Sequence, residues 1–194
     1  MELRKRYGGS HVVAGYIKGA EPAGELRDSG PMALVDVTDG EQISDTVRKY
    51  DIDTIYNLAA LLSVVAEGKP RLAWRIGVDG LWNVLEVARQ SKCAVFTPSS
   101  IGSFGLSTPH LRTPQDTIQR PRTIYGVSKV TTELLSDYFF FKSDILAGLV
   151  TYSTDKNIAA NLETITAQRA RQVIDMNRRG EKPESLQENG AKNE

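Results

Sequence analysis

Features that mark several common functional classes are scarce in this chain of 194 residues. It has one cysteine, Cys93, and two histidines, His11 and His110, which lie far apart in the sequence. A disulfide framework is therefore excluded, and a protein metal site is not expected, because metal sites need several suitably spaced ligands. Lys and Arg number 24, as do Asp and Glu, so no charge excess points to nucleic acid or to an anionic membrane surface.

Long apolar runs are also missing. No stretch reaches the roughly 20 apolar residues that span a bilayer. The charged residues at 1–5 are not followed by the apolar region of a secretory signal, so a cytoplasmic location is expected. Apolar residues still make up 40% of the chain, which is enough for a hydrophobic core, and the length predicts one domain with an appendage.

The sequence does contain an alternation of short apolar strands and helical patterns. Strands are predicted at 11–17, 33–35, 54–56, 94–97 and 145–152, and helices at 2–7, 41–50, 70–90, 124–138 and 157–179. This alternation predicts an α/β fold with a doubly wound parallel sheet of the Rossmann type. A change of character divides the chain into a domain at 1–138, a divergent segment with an amphipathic helix at 139–180, and a polar tail at 181–194 that is expected to be disordered.

Polar and small residues follow three of the predicted strands. They are Asp36 and Val37, then Asn57-Leu58-Ala59-Ala60, then Ser99 and Ser100. In a doubly wound sheet, ligands bind beyond the carboxyl ends of the strands, and small residues there let a cofactor approach the backbone. Taken singly, Ala59 and Ala60 fit tight packing equally well, and Ser99 and Ser100 fit turn or cap residues better than a functional site.

Tyr125 and Lys129 lie four residues apart in a helical pattern that follows an Arg-Pro-Arg loop. That spacing puts a phenol and an ammonium one turn apart on one helix face. A Tyr side chain has an unperturbed pKa of about 10, too high for acid–base work at neutral pH, and a neighbouring cation favours the phenolate. The spacing alone is common by chance on solvated helices. With Ser100 at a strand end, however, the set suits hydride transfer at an alcohol carbon, because Ser donates a hydrogen bond, Tyr exchanges the proton and Lys holds cofactor ribose.

Three stretches carry a resemblance to a known family: YNLAALLS at 56–63, PSSIGSFG at 98–105 and TIQRPRTIYGVSK at 117–129. Over about residues 2–138 the chain resembles the L-threonine 3-dehydrogenases, extended short-chain dehydrogenases/reductases of the NAD-dependent epimerase/dehydratase family. The resemblance implies NAD-dependent oxidation of L-threonine, a small-molecule substrate, to 2-amino-3-ketobutyrate. It also implies a homodimer paired through helices like those at 70–90 and 124–138.

The same resemblance assigns roles to individual residues. It makes Tyr125 the base, Ser100 its hydroxyl partner in contact with substrate, and Lys129 the ribose-binding residue. The remaining assignments are Asp36 and Val37 near the adenine, Leu58, Ala59 and Ala60 along the cofactor, and Ser63 at the substrate.

The chain also departs from this family. The family's first strand and its Gly-x-x-Gly-x-x-Gly phosphate loop do not occur in the 194 residues, so an incomplete sheet is expected. Gly77 stands where relatives commonly have Asn, and no acidic residue occupies the usual ribose position beside Tyr16. A central strand buries about five apolar side chains, on the order of 7–15 kcal/mol of gross burial, which rivals a domain's stability of about 5–15 kcal/mol. The chain alone is therefore expected to be poorly stable and inactive, and robust threonine-dependent NADH production by it would refute that expectation.

Two alternatives stay open at this point. A nucleotide-sugar epimerase or dehydratase shares the Tyr and Lys chemistry, although the residue sequence IQRPRTI at 118–124 argues against it. Assays of NADH formation with threonine and of UDP-sugar conversion would separate the two enzymes. The other alternative is a non-catalytic remnant that binds a partner through the helix at 157–179. In that case Tyr125→Phe would leave its cellular role unchanged and deletion of 157–179 would abolish it.

Overall fold

The structure is a computed structural model that describes residues 2–109, 117–143 and 147–150. Its strands are β1 (Ala14–Tyr16), β2 (Met32–Leu34), β3 (Thr54–Tyr56), β4 (Ala94–Pro98) and β5 (Ala147–Val150). They form two parallel sheets: β1 pairs with β2, and β4 lies between β3 and β5. Parallel pairing throughout confirms the α/β, Rossmann-like class expected from the alternation of strands and helices.

Seven α-helices lie among the residues that the structure describes. They are α1 (Glu2–Tyr7), α2 (Glu25–Asp28), α3 (Gly40–Tyr50), α4 (Ser63–Gly68), α5 (Pro70–Trp74), α6 (Gly80–Ser91) and α7 (Ile124–Ser143). A π-helical turn at Arg75–Asp79 joins α5 to α6 without a break in helical conformation. Short 3₁₀ turns occupy Gly9–His11 and Ile101–Ser103. None of these helices combines the length and apolar character of a transmembrane span.

Local sequence explains why α3 begins and ends where it does. The Asp39 carboxylate accepts hydrogen bonds from the backbone N–H groups of Glu41 and Gln42, at 3.0 and 3.1 Å. These bonds satisfy two donors that the first helical turn leaves unpaired. The helix ends at Asp51, whose φ of 51° places it in the left-handed region. Between these ends, the buried face of α3 points toward α6.

The hydrophobic core lies around α6, which packs against α3 and α7 and beneath β4. Its buried members are Ile43, Val47, Leu81, Val84, Leu85, Val87, Ala88, Cys93, Val95 and Phe139. The α6 positions among them lie within the helix that the sequence predicted at 70–90. Gly80 at the start of α6 admits Val37 to this core, because a Cβ at Gly80 would lie 2.7 Å from the Val37 Cγ2 atom.

The helix that carries Tyr125 is longer than predicted. The pattern predicted a helix at 124–138, but α7 continues to Ser143. Phe139 is only 3% exposed and meets the ring of Trp82 edge-on, with 5.2 Å between centroids. Burial of this ring against α6 explains why the helix continues. The division of the chain at 138 remains a prediction, and that position lies inside one continuous helix.

Other differences are local. The strand predicted at 11–17 is confined to β1, because Gly9–His11 form a 3₁₀ turn. Helix α4 was not predicted, since its apolar residues are mostly exposed and give no amphipathic pattern. β5 falls within the strand predicted at 145–152. The predicted helix at 157–179 and the tail at 181–194 lie outside the described residues.

Candidate active site

The loop after β4 and the first turn of α7 meet through two glycines. A Cβ on Gly126 would lie 2.1 Å from the carbonyl oxygen of Gly102. A Cβ on Gly102 would in turn lie 3.2 Å from two ring carbons of Tyr125 and 3.4 Å from the Ser100 Oγ. The two backbones are thus in direct contact, and Gly102 lies between Ser100 and Tyr125. The structure therefore brings these two predicted site residues together.

The loop itself orients the Ser100 side chain. The Oγ atom accepts a hydrogen bond from the Gly102 N–H at 3.1 Å, and the Ser100 carbonyl accepts one from the Ser103 hydroxyl at 2.8 Å. Because Ser100 Oγ is the acceptor in the first contact, its hydroxyl proton remains able to donate. This arrangement leaves a directed O–H group beside the Tyr125 ring.

Lys129 lies in the interior at the end of β4. Its side chain is 8% exposed, and its ammonium donates a hydrogen bond to the Pro98 carbonyl at 2.7 Å. The Lys129 Nζ atom is 5.8 Å from the centroid of the Tyr125 ring, within the range of a cation–π contact. Burial lowers the pKa of Lys129, and the negative charge of Glu133 opposes that shift. The predicted Tyr–Lys pair is thus fixed to the sheet through the lysine.

Two contacts hold the helical turn that carries Tyr125. The Thr123 hydroxyl accepts a hydrogen bond from the Gly126 N–H at 3.0 Å, which caps α7. A carboxylate oxygen of Glu67, from α4, accepts one from the Ile124 N–H at 2.7 Å. A negative charge is favourable at a helix N-terminus. Glu67 therefore also links α4 to α7.

The segment between β3 and α4 forms an open shelf beside β4. Asn57 is buried, and its N–H donates to the Phe96 carbonyl at 2.8 Å, which continues the β3–β4 pairing. Its side-chain oxygen accepts the Ala59 N–H at 3.3 Å. Leu58 is 68% exposed and Ala60 is exposed, while Ala59 is half-buried. Ser63, the predicted substrate contact, is exposed at the start of α4.

Asp36 and Val37 lie beyond the end of β2. Asp36 is exposed, and its Oδ1 atom accepts hydrogen bonds from the Thr38 N–H at 2.9 Å and the Thr38 hydroxyl at 2.8 Å. The first of these bonds makes the largest contribution to lowering the pKa of Asp36. The Val37 carbonyl accepts a hydrogen bond from the Asn83 amide at 3.0 Å. Asp36 also lines an open cleft of about 760 Å³ between the start of α3 and α6.

A polar network beneath the site was missed by sequence reasoning. Glu133 accepts hydrogen bonds from the Ser99 hydroxyl and from the Gln119 side-chain amide, the latter at 2.8 Å. The same amide of Gln119 donates to the Ser103 hydroxyl at 3.3 Å. One signal could have found Glu133: it lies four residues after Lys129, on the face that already carries Tyr125.

Gly77, where the sequence departs from the resembled family, lies in the π-helical turn. A Cβ at Gly77 would make ordinary contacts with Ser128 of α7, at 3.5 and 3.6 Å. Helix α5 also contacts α7, and its Ala73 is buried. Over the part of the chain that the structure describes, no three His, Cys, Asp or Glu side chains converge as metal ligands would.

Comparison with known proteins gives two family matches. Residues 6–154 match the NAD dependent epimerase/dehydratase family, and residues 135–179 match the YaaT C-terminal domain. An uncharacterized epimerase/dehydratase of Staphylococcus epidermidis is 48% identical over 142 residues, which is 73% of this chain and 44% of that protein. An uncharacterized epimerase/dehydratase of Staphylococcus saprophyticus is 47% identical over 142 residues, again 73% of this chain and 44% of that protein. The chain thus spans less than half the length of these curated relatives.

Solved structures share the fold. The L-threonine dehydrogenase of Clostridium difficile is 44% identical with a TM-score of 0.72, over 78% of this chain and 47% of that one. The holo form of a GalE-like L-threonine dehydrogenase from Cupriavidus necator is 34% identical with a TM-score of 0.73, over 78% and 49%. A UDP-glucose 4-epimerase from Brucella ovis, in complex with NAD, is 20% identical with a TM-score of 0.70, over 78% and 46%. At that identity the likeness concerns the fold alone.

Proposed function

The chain belongs to the NAD dependent epimerase/dehydratase family, and from that premise we propose that its site is that of an NAD-dependent L-threonine 3-dehydrogenase. The proposed reaction oxidises L-threonine to 2-amino-3-ketobutyrate. One observation carries the proposal: Ser100 and Tyr125 meet across Gly102, with Lys129 fixed to the strand end beside them. The choice of threonine is supported by 44% identity to an L-threonine dehydrogenase, against 20% to a UDP-glucose 4-epimerase.

The proposed roles follow from the geometry of these side chains. Tyr125 acts as the general base that takes the proton of the substrate hydroxyl, while Ser100 donates its O–H to the same oxygen and holds it in place. Lys129 places a positive charge beside the Tyr125 ring, and its ammonium has N–H groups beyond the one bonded to Pro98 for a ribose hydroxyl. NAD, the cofactor of this family, would supply the acceptor for the hydride of the substrate carbon when it is bound. Loss of that hydride and of the hydroxyl proton converts the alcohol to a ketone.

The described residues suit the two ends of the cofactor. Asp36 is exposed and uses only Oδ1 for Thr38, so Oδ2 can accept from the amino group of adenine. The shelf at 58–60 has small or exposed side chains that leave the backbone open beside β4. No glycine-rich phosphate loop occurs among the 194 residues, so the pyrophosphate lacks its usual helix N-terminus. We therefore expect impaired NAD binding and turnover by this chain alone.

We also propose that the chain pairs with a second copy. Apolar side chains of α7 are exposed at helical spacing: Val127, Leu134, Tyr138 and Phe141. Trp82 of the neighbouring α6 is likewise 44% exposed. Contiguous exposed apolar side chains commonly mark a protein contact. Sedimentation should give a dimer that Leu134→Glu dissociates, whereas a monomer at all concentrations would contradict the pairing.

The function is best tested in a context that supplies the phosphate loop. Residues 9–138 of this chain would replace the matching segment of the Clostridium difficile L-threonine dehydrogenase, and NADH formation would be followed with threonine and, separately, UDP-glucose conversion. We expect threonine-dependent NADH, reduced about a hundredfold or more by Tyr125→Phe. Tyr138→Phe removes only a hydroxyl from an exposed Tyr of the same helix and keeps the apolar ring of the proposed pairing surface, so it serves as the matched control and should leave the rate unchanged. A folded chimera that converts UDP-glucose but not threonine would overturn the proposal.

A further inference from the structure

Consecutive turns of α7 hold consecutive residues at the end of β4. Lys129 donates to the carbonyl of Pro98 at 2.7 Å, and Glu133, one turn later, accepts from the hydroxyl of Ser99. Ser99 is 5% exposed, so its hydroxyl has been removed from water and depends on this acceptor. The next residue along the chain is Ser100. The bond between Ser99 and Glu133 thus fixes the chain to α7 at the residue that precedes Ser100.

The second carboxylate oxygen of Glu133 fixes the other side of the same loop. It accepts the Gln119 amide at 2.8 Å, and that amide also donates to the Ser103 hydroxyl at 3.3 Å. Ser103 is fully buried and donates to the Ser100 carbonyl at 2.8 Å. Two routes therefore link Ser100 to Glu133. One runs through the preceding residue, Ser99, and the other runs through the side chains of Ser103 and Gln119. Gln119 also ties the segment at 117–123, which leads into Tyr125.

The chemistry of the network requires a carboxylate at position 133. Both partners, a hydroxyl and an amide N–H, are donors, and a carboxylate offers an acceptor oxygen to each. A glutamine has the same shape but would turn an NH₂ group toward one of these donors. The carboxylate also opposes the cost of burying the Lys129 ammonium one turn away.

We propose that Glu133 is a positioning residue, which holds the loop 99–103 and the segment 117–123 on α7 and so sets the relation of Ser100 to Tyr125. The inference rests on the proposed function only in that Ser100 and Tyr125 are the reacting pair. It assigns a purpose to Gln119, which immediately precedes the Arg-Pro-Arg loop and donates to both Glu133 and Ser103. Glu133 contacts neither substrate nor cofactor in this account.

The test uses the full 194-residue chain and needs no turnover. Hydrogen–deuterium exchange would be measured for Glu133→Gln and for a matched control, Asp137→Asn, which removes an exposed acid one turn further along α7. We expect peptides covering 99–103 and 117–123 to exchange about tenfold faster in Glu133→Gln, with 81–88 unchanged. Asp137→Asn should resemble the unaltered chain. The double variant Glu133→Gln/Gln119→Glu restores a carboxylate–amide pair and should recover protection of 117–123.

A second readout is the titration midpoint of the Lys129 side chain, followed by NMR, with its signal assigned by its loss in Lys129→Arg. A change in loop packing alone would not move this midpoint. Removal of the Glu133 charge should lower the Lys129 titration midpoint, and removal of the Asp137 charge should not. The proposal is overturned by equal effects of the two single variants, by faster exchange that includes 81–88, by no recovery in the double variant, or by fast exchange throughout the unaltered chain. Because neither readout involves threonine, a failed dehydrogenase assay would leave this result standing on its own.

Discussion

Gly126→Ala is the change that most directly tests how the site is built. The new Cβ would lie 2.1 Å from the Gly102 carbonyl oxygen and 2.5 Å from the Pro121 Cβ, whereas real Cβ atoms essentially never approach within 3.0 Å. The Gly102 carbonyl must therefore retreat by about 0.9 Å, the difference between 2.1 and 3.0 Å, and it is backbone with no rotamer to change. Because Gly102 separates Ser100 from Tyr125, this displacement also separates the proposed reacting groups.

The magnitude follows from comparison with a second glycine. Gly77→Ala places its Cβ at 3.5 Å from the Ser128 Oγ, an ordinary contact. Both substitutions gain about 1 kcal/mol of helix propensity, but only Gly126→Ala incurs an overpacking cost of about 1–3 kcal/mol. Urea unfolding followed by circular dichroism should therefore find Gly126→Ala less stable than Gly77→Ala by about 1–3 kcal/mol. In the chimera its rate with threonine should fall by about a hundredfold, as expected for a displacement near 1 Å. Equal stability and equal rates in the two variants would refute the close approach of the β4 loop to α7.

Three further predictions concern stability and use the same urea assay. Asp39→Ala removes the N-cap of α3 and should cost about 1 kcal/mol, while Asp45→Ala, on the exposed face of the same helix, should cost much less; equal losses would contradict the cap. Arg4→Met should cost at least about 2 kcal/mol, because the buried guanidinium donates to the carbonyls of Val12 and Pro31, at 3.1 and 2.6 Å, and an unchanged midpoint would contradict this role. Burial raises the pKa of the Cys93 thiol from 9.0 to about 11. The thiol of the unfolded chain therefore loses its proton at lower pH than that of the folded chain. Stability should fall as pH rises from 9 to about 11, by up to about 3 kcal/mol. Cys93→Ala should flatten that part of the pH profile, and an unaltered slope would argue against the shift.

Local patterns were sufficient for the parts of the fold that depend on neighbours in sequence. β3 at Thr54–Tyr56 and α3 at Gly40–Tyr50 were predicted within a residue, because short apolar runs and apolar spacing are local properties of the sequence. The exposed apolar residues of α4 gave no such pattern. The π-helical turn at Arg75–Asp79 was also not predicted, and it lies inside the helix predicted at 70–90.

The candidate site also has one part that local sequence predicts and one part that depends on contacts distant in sequence. The spacing of Tyr125 and Lys129 is a property of one helix and could be predicted, whereas the anchor of Lys129 is a backbone carbonyl 31 residues away. Glu133 meets Ser99 across 34 residues and Gln119 across 14. These contacts depend on how α7 lies against the 3₁₀ turn at Ile101–Ser103, where Gly102 and Gly126 approach each other closely. The roles of the site residues remain proposals.

The central claim is that this arrangement moves a hydride from threonine, and isotope transfer tests it most directly. The chimera would be given L-threonine deuterated at the β-carbon together with NAD, and the reduced cofactor would be examined by mass spectrometry. We predict deuterium in the NADH with Tyr125 present and none above background with Tyr125→Phe. Unlabelled NADH, or label transferred equally by both proteins, would contradict the account.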